Sequence, residues 1–148
     1  MTSVADLMTR DPITVDPDDS VLHAAQLMDD LNVGALPVCR DGELIGIVTD
    51  RDITVRAIAA GLDAASTPVD LVMSDRVRCC SRQQSAAEVL RRMSAVQIRR
   101  LPVVDEDHRL VGIVSLGDIA AMNCDGVDET LRSISTPSQP DRAEVLVT

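Results

Sequence analysis

Two short patterns set a hydroxyl and a carboxylate one helical turn apart: Thr49-Asp50-Arg51-Asp52 and Ser115-Leu116-Gly117-Asp118. Each follows a glycine and a β-branched run, Gly46-Ile47-Val48 or Gly112-Ile113-Val114, so each is expected where a strand ends and a helix begins. The first turn of a helix leaves backbone N–H groups unpaired and carries partial positive charge, which suits a phosphate, and the hydroxyl adds a donor. The carboxylate three residues on can accept hydrogen bonds from both hydroxyls of a ribose. The same pattern is also a plain helix cap. Capping and binding do not exclude each other, since without a ligand the same groups simply cap.

Other chemistry is thinly represented. Cys39, Cys79, Cys80 and Cys124 show no C-x-x-C spacing and form no ligand array with His23 or His108. They read as small buried or half-buried thiols, with a redox role for Cys39 or the Cys79-Cys80 pair as the alternative, and no metal site is expected. No nucleophile, base and orienting group can be assembled and no glycine-rich phosphate loop occurs, so the chain is not expected to be an enzyme. Its net charge of −10 speaks against a nucleic-acid partner. The absence of Phe, Tyr and Trp removes any base-stacking platform. The charge is uneven: residues 1–67 carry 12 acids against 4 arginines, whereas residues 68–126 carry 8 against 8. An anionic ligand should find the second half less repulsive.

A chain of 148 residues suits one core or two small subdomains sharing one, without room for a separate catalytic domain. No apolar run approaches the roughly 18 residues of a membrane span, and no basic-then-apolar leader opens the chain, so a cytoplasmic location without a membrane partner is expected.

The elements that position the two patterns come from an internal repeat. Val4-Ala5-Asp6-Leu7-Met8 returns as Val69-Asp70-Leu71-Val72-Met73, and Ser20 and Met28 return as Ser85 and Met93, all at an offset of 65. Leu36-Pro37-Val38 matches Leu101-Pro102-Val103. After one inserted residue, Gly46-Ile47-Val48-Thr49 and Asp52-Ile53 match Gly112-Ile113-Val114-Ser115 and Asp118-Ile119. Each copy predicts a short helix ending near Met8 or Met73 and an extended stretch at Ile13–Val15 or Val77–Cys79. A helix opened by Ser20 or Ser85 follows, then two strands and a last helix. Ser85 with Glu88 predicts a capping box, and Asp41-Gly42 a tight turn between strands. Val21, Ala24, Ala25, Met28 and Leu31 should face the core, as should Ala86, Val89, Leu90 and Met93. The expected organisation is repeat 1 over 1–62, a linker over 63–68, repeat 2 over 69–124, a helix over 125–135 and a frayed tail over 136–148. The fold class is α/β (α+β), two βαββα-type subdomains in tandem.

Leu36-Pro37-Val38 with Gly46-Ile47-Val48-Thr49-Asp50-Arg51-Asp52-Ile53, and their second copies, resemble a pair of CBS (cystathionine-β-synthase) domains, a Bateman module, from about Val4 to Met122. Gly34-Ala35-Leu36-Pro37 with Ile58-Ala59-Ala60-Gly61-Leu62-Asp63 is further similar to the stand-alone actinobacterial pairs of the hypoxic-response type. The resemblance implies a pseudo-twofold pair of subdomains with packed sheets and two clefts between them. In that family the clefts commonly bind AMP, ADP, ATP or S-adenosylmethionine as regulatory ligands, with no required cofactor, and two pairs associate as a disc-shaped homodimer. Carried onto this sequence, it implies that backbone groups near Thr14-Val15 and Val77–Cys79 read the adenine edge. Thr49, Asp52, Ser115 and Asp118 would hold the sugar phosphate, and Ala35, Pro37, Arg51 and Pro102 complete the candidate set.

Two departures matter. Val77-Arg78-Cys79-Cys80-Ser81-Arg82 lacks the proline of Asp16-Pro17, which puts base reading at the second cleft in question. Arg99 and Arg100 stand where copy one has Gly34 and Ala35, and a guanidinium fork suits phosphate. The second cleft is therefore expected to be the better anion site, unless these arginines are solvated or paired with a partner subunit's acids. The resulting expectation is a metabolite sensor acting on a separate protein in trans. The alternatives are a ligand-free dimeric stress or interaction protein and, below it, a thiol redox sensor.

Overall fold

The computed structural model describes residues 2–121; the expected helix 125–135, the tail 136–148 and Cys124 lie outside the described residues. The helices and the paired strands of each copy follow the expected order, but in the first copy the strand forms at Thr9–Arg10, and of Ile13–Val15 only Val15 makes a bridge, to Val38. The first gives α1 (Val4–Leu7), β1 (Thr9–Arg10), α2 (Val21–Leu31), β2 (Ala35–Arg40), β3 (Glu43–Thr49) and α3 (Asp50–Asp52), the last running on as a π-helical stretch Ile53–Ile58. The second gives a 3-10 turn Val69–Leu71, β4 (Cys80–Ser81), α4 (Ala86–Val96), β5 (Arg100–Val104), β6 (Leu110–Ser115) and α5 (Leu116–Ala120). It is a mixed α/β fold in tandem.

Local chemistry explains most boundaries. Ser20 and Ser85 cap α2 and α4, their hydroxyls accepting from the N–H of His23 at 3.0 Å and of Glu88 at 3.2 Å. The expected reciprocal half at Ser85 is replaced: Glu88 takes the Ser85 hydroxyl at 3.3 Å, while the Ser85 backbone bridges to Ser3. Both helices end in a left-handed residue, Asn32 or Gln97, after which Val33 and Ile98 bond back to the carbonyls of Met28 and Met93. Asp41 and Gly42 turn β2 into β3 with φ of 52° and 85°. The expected inner faces hold at Val21, Ala24 and Met28, and at Ala86, Val89, Leu90 and Met93, all buried. Leu31 is a correction: at the last turn of α2 it stays 42% exposed.

The chain folds into two compact units that do not coincide with the sequence repeats. One takes Ile13–Val77; the other takes the described residues up to Pro12 together with those from Arg78 onward. The cause is an exchange of leading segments. In the first unit Val69 and Asp70 donate to the carbonyls of Asp19 and Pro17 at 2.8 and 3.0 Å, and Val21 donates to Thr67 at 2.8 Å. In the second, Val4 and Ala5 donate to Gln84 and Arg82 at 2.9 and 3.1 Å, and Ala86 donates to Thr2 at 3.0 Å. The segment 63–68 thus caps α2 inside its own unit, with Leu22 N–H on the Ala64 carbonyl at 3.0 Å.

The Ile13–Val77 unit holds a two-stranded antiparallel sheet, β2-β3, with Val15 bridged in parallel to Val38. Its core is aliphatic: Val15, Val21, Ala24, Met28, Leu36, Val38, Val48, Ile53, Ala57, Val69 and Val72. The other unit holds a four-stranded sheet ordered β1-β6-β5-β4, in which β1 pairs antiparallel to β6 and β4 parallel to β5. Val4, Val89, Met93, Ile98, Leu101, Val103, Val114 and Ile119 are fully buried there. With no aromatic residue available, branched aliphatics and Met fill both cores. The exchanged segments press on the two strand glycines. A Cβ at Gly46 would stand 2.6 Å from Met73 Sδ and 2.9 Å from the Ser74 carbonyl oxygen, and one at Gly112 would stand 2.6 Å from Met8 Sδ and 2.8 Å from the Thr9 carbonyl oxygen.

Candidate functional site

Both hydroxyl–carboxylate patterns fold as strand-to-helix corners. Thr49 ends β3 and caps α3: its Oγ1 accepts from Asp52 N–H at 3.1 Å, and Asp52 Oδ2 accepts from Thr49 N–H at 3.0 Å. Ser115 ends β6 and does the same with Asp118, at 3.1 and 2.9 Å. Capping therefore occupies one carboxylate oxygen at each corner. The environments differ. Thr49 and Asp52 are 3% and 1% exposed, whereas Ser115 and Asp118 are half-buried.

The second oxygen of Asp52 is the unusual group. Oδ1 is buried and accepts no hydrogen bond; its near neighbour is Arg56 Nε, 3.8 Å away and one turn on in the π-helical stretch. A buried carboxylate oxygen with only a long ion contact is costly, and such groups are found where something else is to be bound. Arg56 was not among the sequence-derived candidates. The signal for it is its spacing, an acid at i and an arginine at i+4.

The other candidates distribute as follows. Ala35 lies opposite Thr49 in the β2-β3 ladder and Gly34 accepts from Asp50 N–H at 2.9 Å; in the other unit Arg100 lies opposite Ser115 and Arg99 accepts from Leu116 N–H at 2.8 Å. Arg99 and Arg100 are exposed, as are Thr14 and Arg51. Pro37 and Pro102 are buried in β2 and β5, opposite Ile47 and Ile113. Val15 N–H donates to the Pro37 carbonyl and its own carbonyl accepts from Cys39 N–H, both at 3.0 Å, so its backbone groups are used within the sheet.

The second extended stretch is corrected. The strand forms at Cys80–Ser81 rather than Val77–Cys79, pairing with Val103 and Val104. Its register follows burial, since Cys80 is 2% exposed and inward-facing while Ser81 faces out. Val77 closes the Ile13–Val77 unit and Cys79 belongs to the other. The Cys79 carbonyl accepts from the Arg92 guanidinium.

Cys39, Cys79 and Cys80 are free thiols, two buried and one half-buried. Burial pushes the Cys39 and Cys80 thiols up to about 11 from an ordinary 9.0, against a smaller lowering at Cys80 from Arg92. Cys80 also donates to the Pro102 carbonyl at 3.6 Å. These thiols stay protonated until the pH approaches that value. Their alkylation by iodoacetamide at pH 8 should therefore be about 100-fold slower in the folded than in the unfolded protein. Equal rates would restore the redox alternative. No group of three potential metal ligands occurs among the described residues. A separate groove of about 270 Å³ in the second unit is lined by Met8, Arg10, Asp11, Arg82, Leu110 and Val111 and contains none of the candidates. Arg82 there is held by Glu106 at 3.1 Å. No helix of the described residues is long and apolar enough to cross a membrane.

The chain is similar to known proteins in sequence and in fold. The family model of the CBS domain matches residues 4–57 and again 69–122. The CBS domain-containing protein YhcV of Bacillus subtilis is 44% identical over 137 residues, covering 91% of this chain and 96% of that one. Hypoxic response protein 1 of Mycobacterium tuberculosis is 40% identical over 121 residues, 81% of this chain and 84% of that one. Three solved structures share the fold. Hypoxic Response Protein I with two coordinated zinc ions has a TM-score of 0.73 at 39% identity, covering 82% of this chain and 99% of that one. CBSX2 in complex with AMP has 0.72 at 27%, covering 83% and 96%. The CBS domain pair of MJ0100, in complex with 5-methylthioadenosine and S-adenosyl-L-methionine, has 0.68 at 31%, covering 83% and 96%.

Proposed function

The chain belongs to the CBS-domain family, and on that premise we propose that it is a regulatory module that binds an adenosine-type ligand, AMP, ADP, ATP or S-adenosylmethionine, at its strand-to-helix corners and acts on a separate protein. The reading rests on Asp52. Its Oδ2 is taken by the cap, while Oδ1 is buried beside Thr49 without a hydrogen bond. A pair of sugar hydroxyls donating to Oδ1 would satisfy it. The related CBS pairs solved with AMP and with S-adenosylmethionine support this ligand class.

The two corners differ in charge. Asp50 and Asp52 flank Arg51 in the first, whereas in the second Arg99 precedes and Arg100 opens the β5 strand, opposite Ser115. The second corner is thus the better phosphate site, with Arg100 across the ladder from the Ser115 hydroxyl. Catalysis has no part in this reading.

A second reading, an interaction scaffold that forms a homodimer without a ligand, has one observation in its favour. The exposed large apolar side chains among the described residues all lie on the Ile13–Val77 unit, including Val55, Ile58, Leu62 and Leu71. Thermal melts with an external dye separate the two. AMP or ATP at 100 times its dissociation constant should stabilise the folded state by about 2.7 kcal/mol if it binds. Arg100→Ala should weaken ATP by about threefold to tenfold while leaving adenosine unchanged, because an exposed guanidinium acts only on the phosphates. No shift with any adenine nucleotide or S-adenosylmethionine leaves the scaffold.

A further inference from the structure

Arg56 joins two parts of the Ile13–Val77 unit that the sequence keeps far apart. Its Nε lies 3.8 Å from Asp52 Oδ1, and its Nη1 donates to the carbonyls of Val72 and Met73, both at 3.3 Å. Val72 and Met73 follow the 3-10 turn and begin the stretch by which the chain leaves the unit after Val77. That stretch is tied to the strand that carries Thr49. Ser74 and Ile47 exchange N–H bonds to each other's carbonyls at 2.8 and 2.9 Å, and the Met73 side chain sits against Gly46. All three Arg56 contacts are long, so one guanidinium is divided between an acid and two carbonyls. A π-helical stretch carries it, a form that recurs at functional sites. The repeat offset of 66 that relates Asp52 to Asp118 relates Arg56 to Met122, so in the sequence an uncharged residue matches this arginine in the second copy.

We infer that Arg56 is a positioning residue for the Asp52 corner and relays its occupancy to residues 72–74. This rests on the proposed sugar site at Asp52. Hydroxyls donating to Oδ1 take over the charge that Arg56 now shares, and the guanidinium turns wholly to the Val72 and Met73 carbonyls, tightening the segment that leads out of the unit. A ligand at the first corner alone is therefore reported along the chain. In the second copy Met122 matches Arg56 in the sequence, with no guanidinium to be shared in this way.

Hydrogen exchange on the full chain, with AMP as the probe, tests this. In the wild type, AMP should slow exchange at Thr49–Asp52 and also, by at least about fivefold, at Val72–Ser74. In Arg56→Met, which copies the residue of the second repeat, the first protection should persist and the second vanish. Arg56→Lys, keeping the charge, should recover part of it. Arg56 is 48% exposed, so these variants should fold, and their melts check it. Equal protection of Val72–Ser74 in wild type and Arg56→Met, or protection confined to Thr49–Asp52 in the wild type, overturns the relay and leaves the binding site standing. Unchanged exchange everywhere with AMP overturns the binding site, and the relay falls with it.

Discussion

Alanine in place of Gly112 should lower the melting temperature by roughly 6–12 °C, corresponding to about 3 kcal/mol of lost stability. The added Cβ would stand 2.6 Å from Met8 Sδ, 2.8 Å from Met8 Cγ and 2.8 Å from the Thr9 carbonyl oxygen. A thioether can swing aside, but Thr9 is backbone of β1, held to β6 in the register Thr9↔Ile113 and Arg10↔Gly112. The methyl group must therefore push the exchanged strand off the sheet edge or strain β6. Removing the Met8 side chain in the same variant, Met8→Ala, should restore only part of the loss, because the carbonyl contact stays. Gly46→Ala should behave alike, since the Ser74 carbonyl 2.9 Å away accepts from Ile47 N–H while the Ser74 N–H donates back to the Ile47 carbonyl, fixing that backbone. Far-UV circular dichroism follows the melt, as no aromatic side chain is available for fluorescence. A Gly112→Ala protein that melts within about 2 °C of wild type would show that the close approach costs nothing.

The second large effect separates capping from binding at Asp52. Asp52→Asn can keep the cap, with its amide oxygen accepting from Thr49 N–H as Oδ2 now does at 3.0 Å. Its amide nitrogen then takes the place of Oδ1 and presents donors to sugar hydroxyls that must themselves donate. Stability should change little, while AMP affinity at this corner falls about 30-fold, the worth of hydrogen bonds to a charged acceptor. Asp52→Ala differs. It leaves the N–H of Thr49, a residue only 3% exposed, without its partner, so about 1–3 kcal/mol of stability goes with the affinity. Calorimetric titration with AMP, alongside melts of both variants, reads the two effects independently. Wild-type affinity in Asp52→Asn would reduce the corner to a helix cap.

The corners were legible because their bonds are local. A hydroxyl and an acid three residues apart close a cap wherever a strand turns into a helix, and both pairs do so at 2.9–3.1 Å. The inner faces of α2 and α4 follow from helical spacing for the same reason. Leu31 departs from its face at the last residue of α2, beside the left-handed Asn32 where the chain turns away. The short strands were harder. A two-residue strand such as Cys80–Ser81 has no periodicity of its own, and its place follows from pairing with β5.

By itself the sequence determined the duplication, the order of elements in each copy, and the paired hydroxyl–carboxylate corners, all of which depend on neighbours within a turn or a hairpin. Tertiary structure alone decided which copy each leading segment joins, that the Val15 and Cys79 backbone groups are already engaged, and that Arg56 reaches carbonyls 16 and 17 residues away. Those outcomes depend on which edges and carbonyls come together after the chain has crossed between units, and no local spacing encodes that encounter.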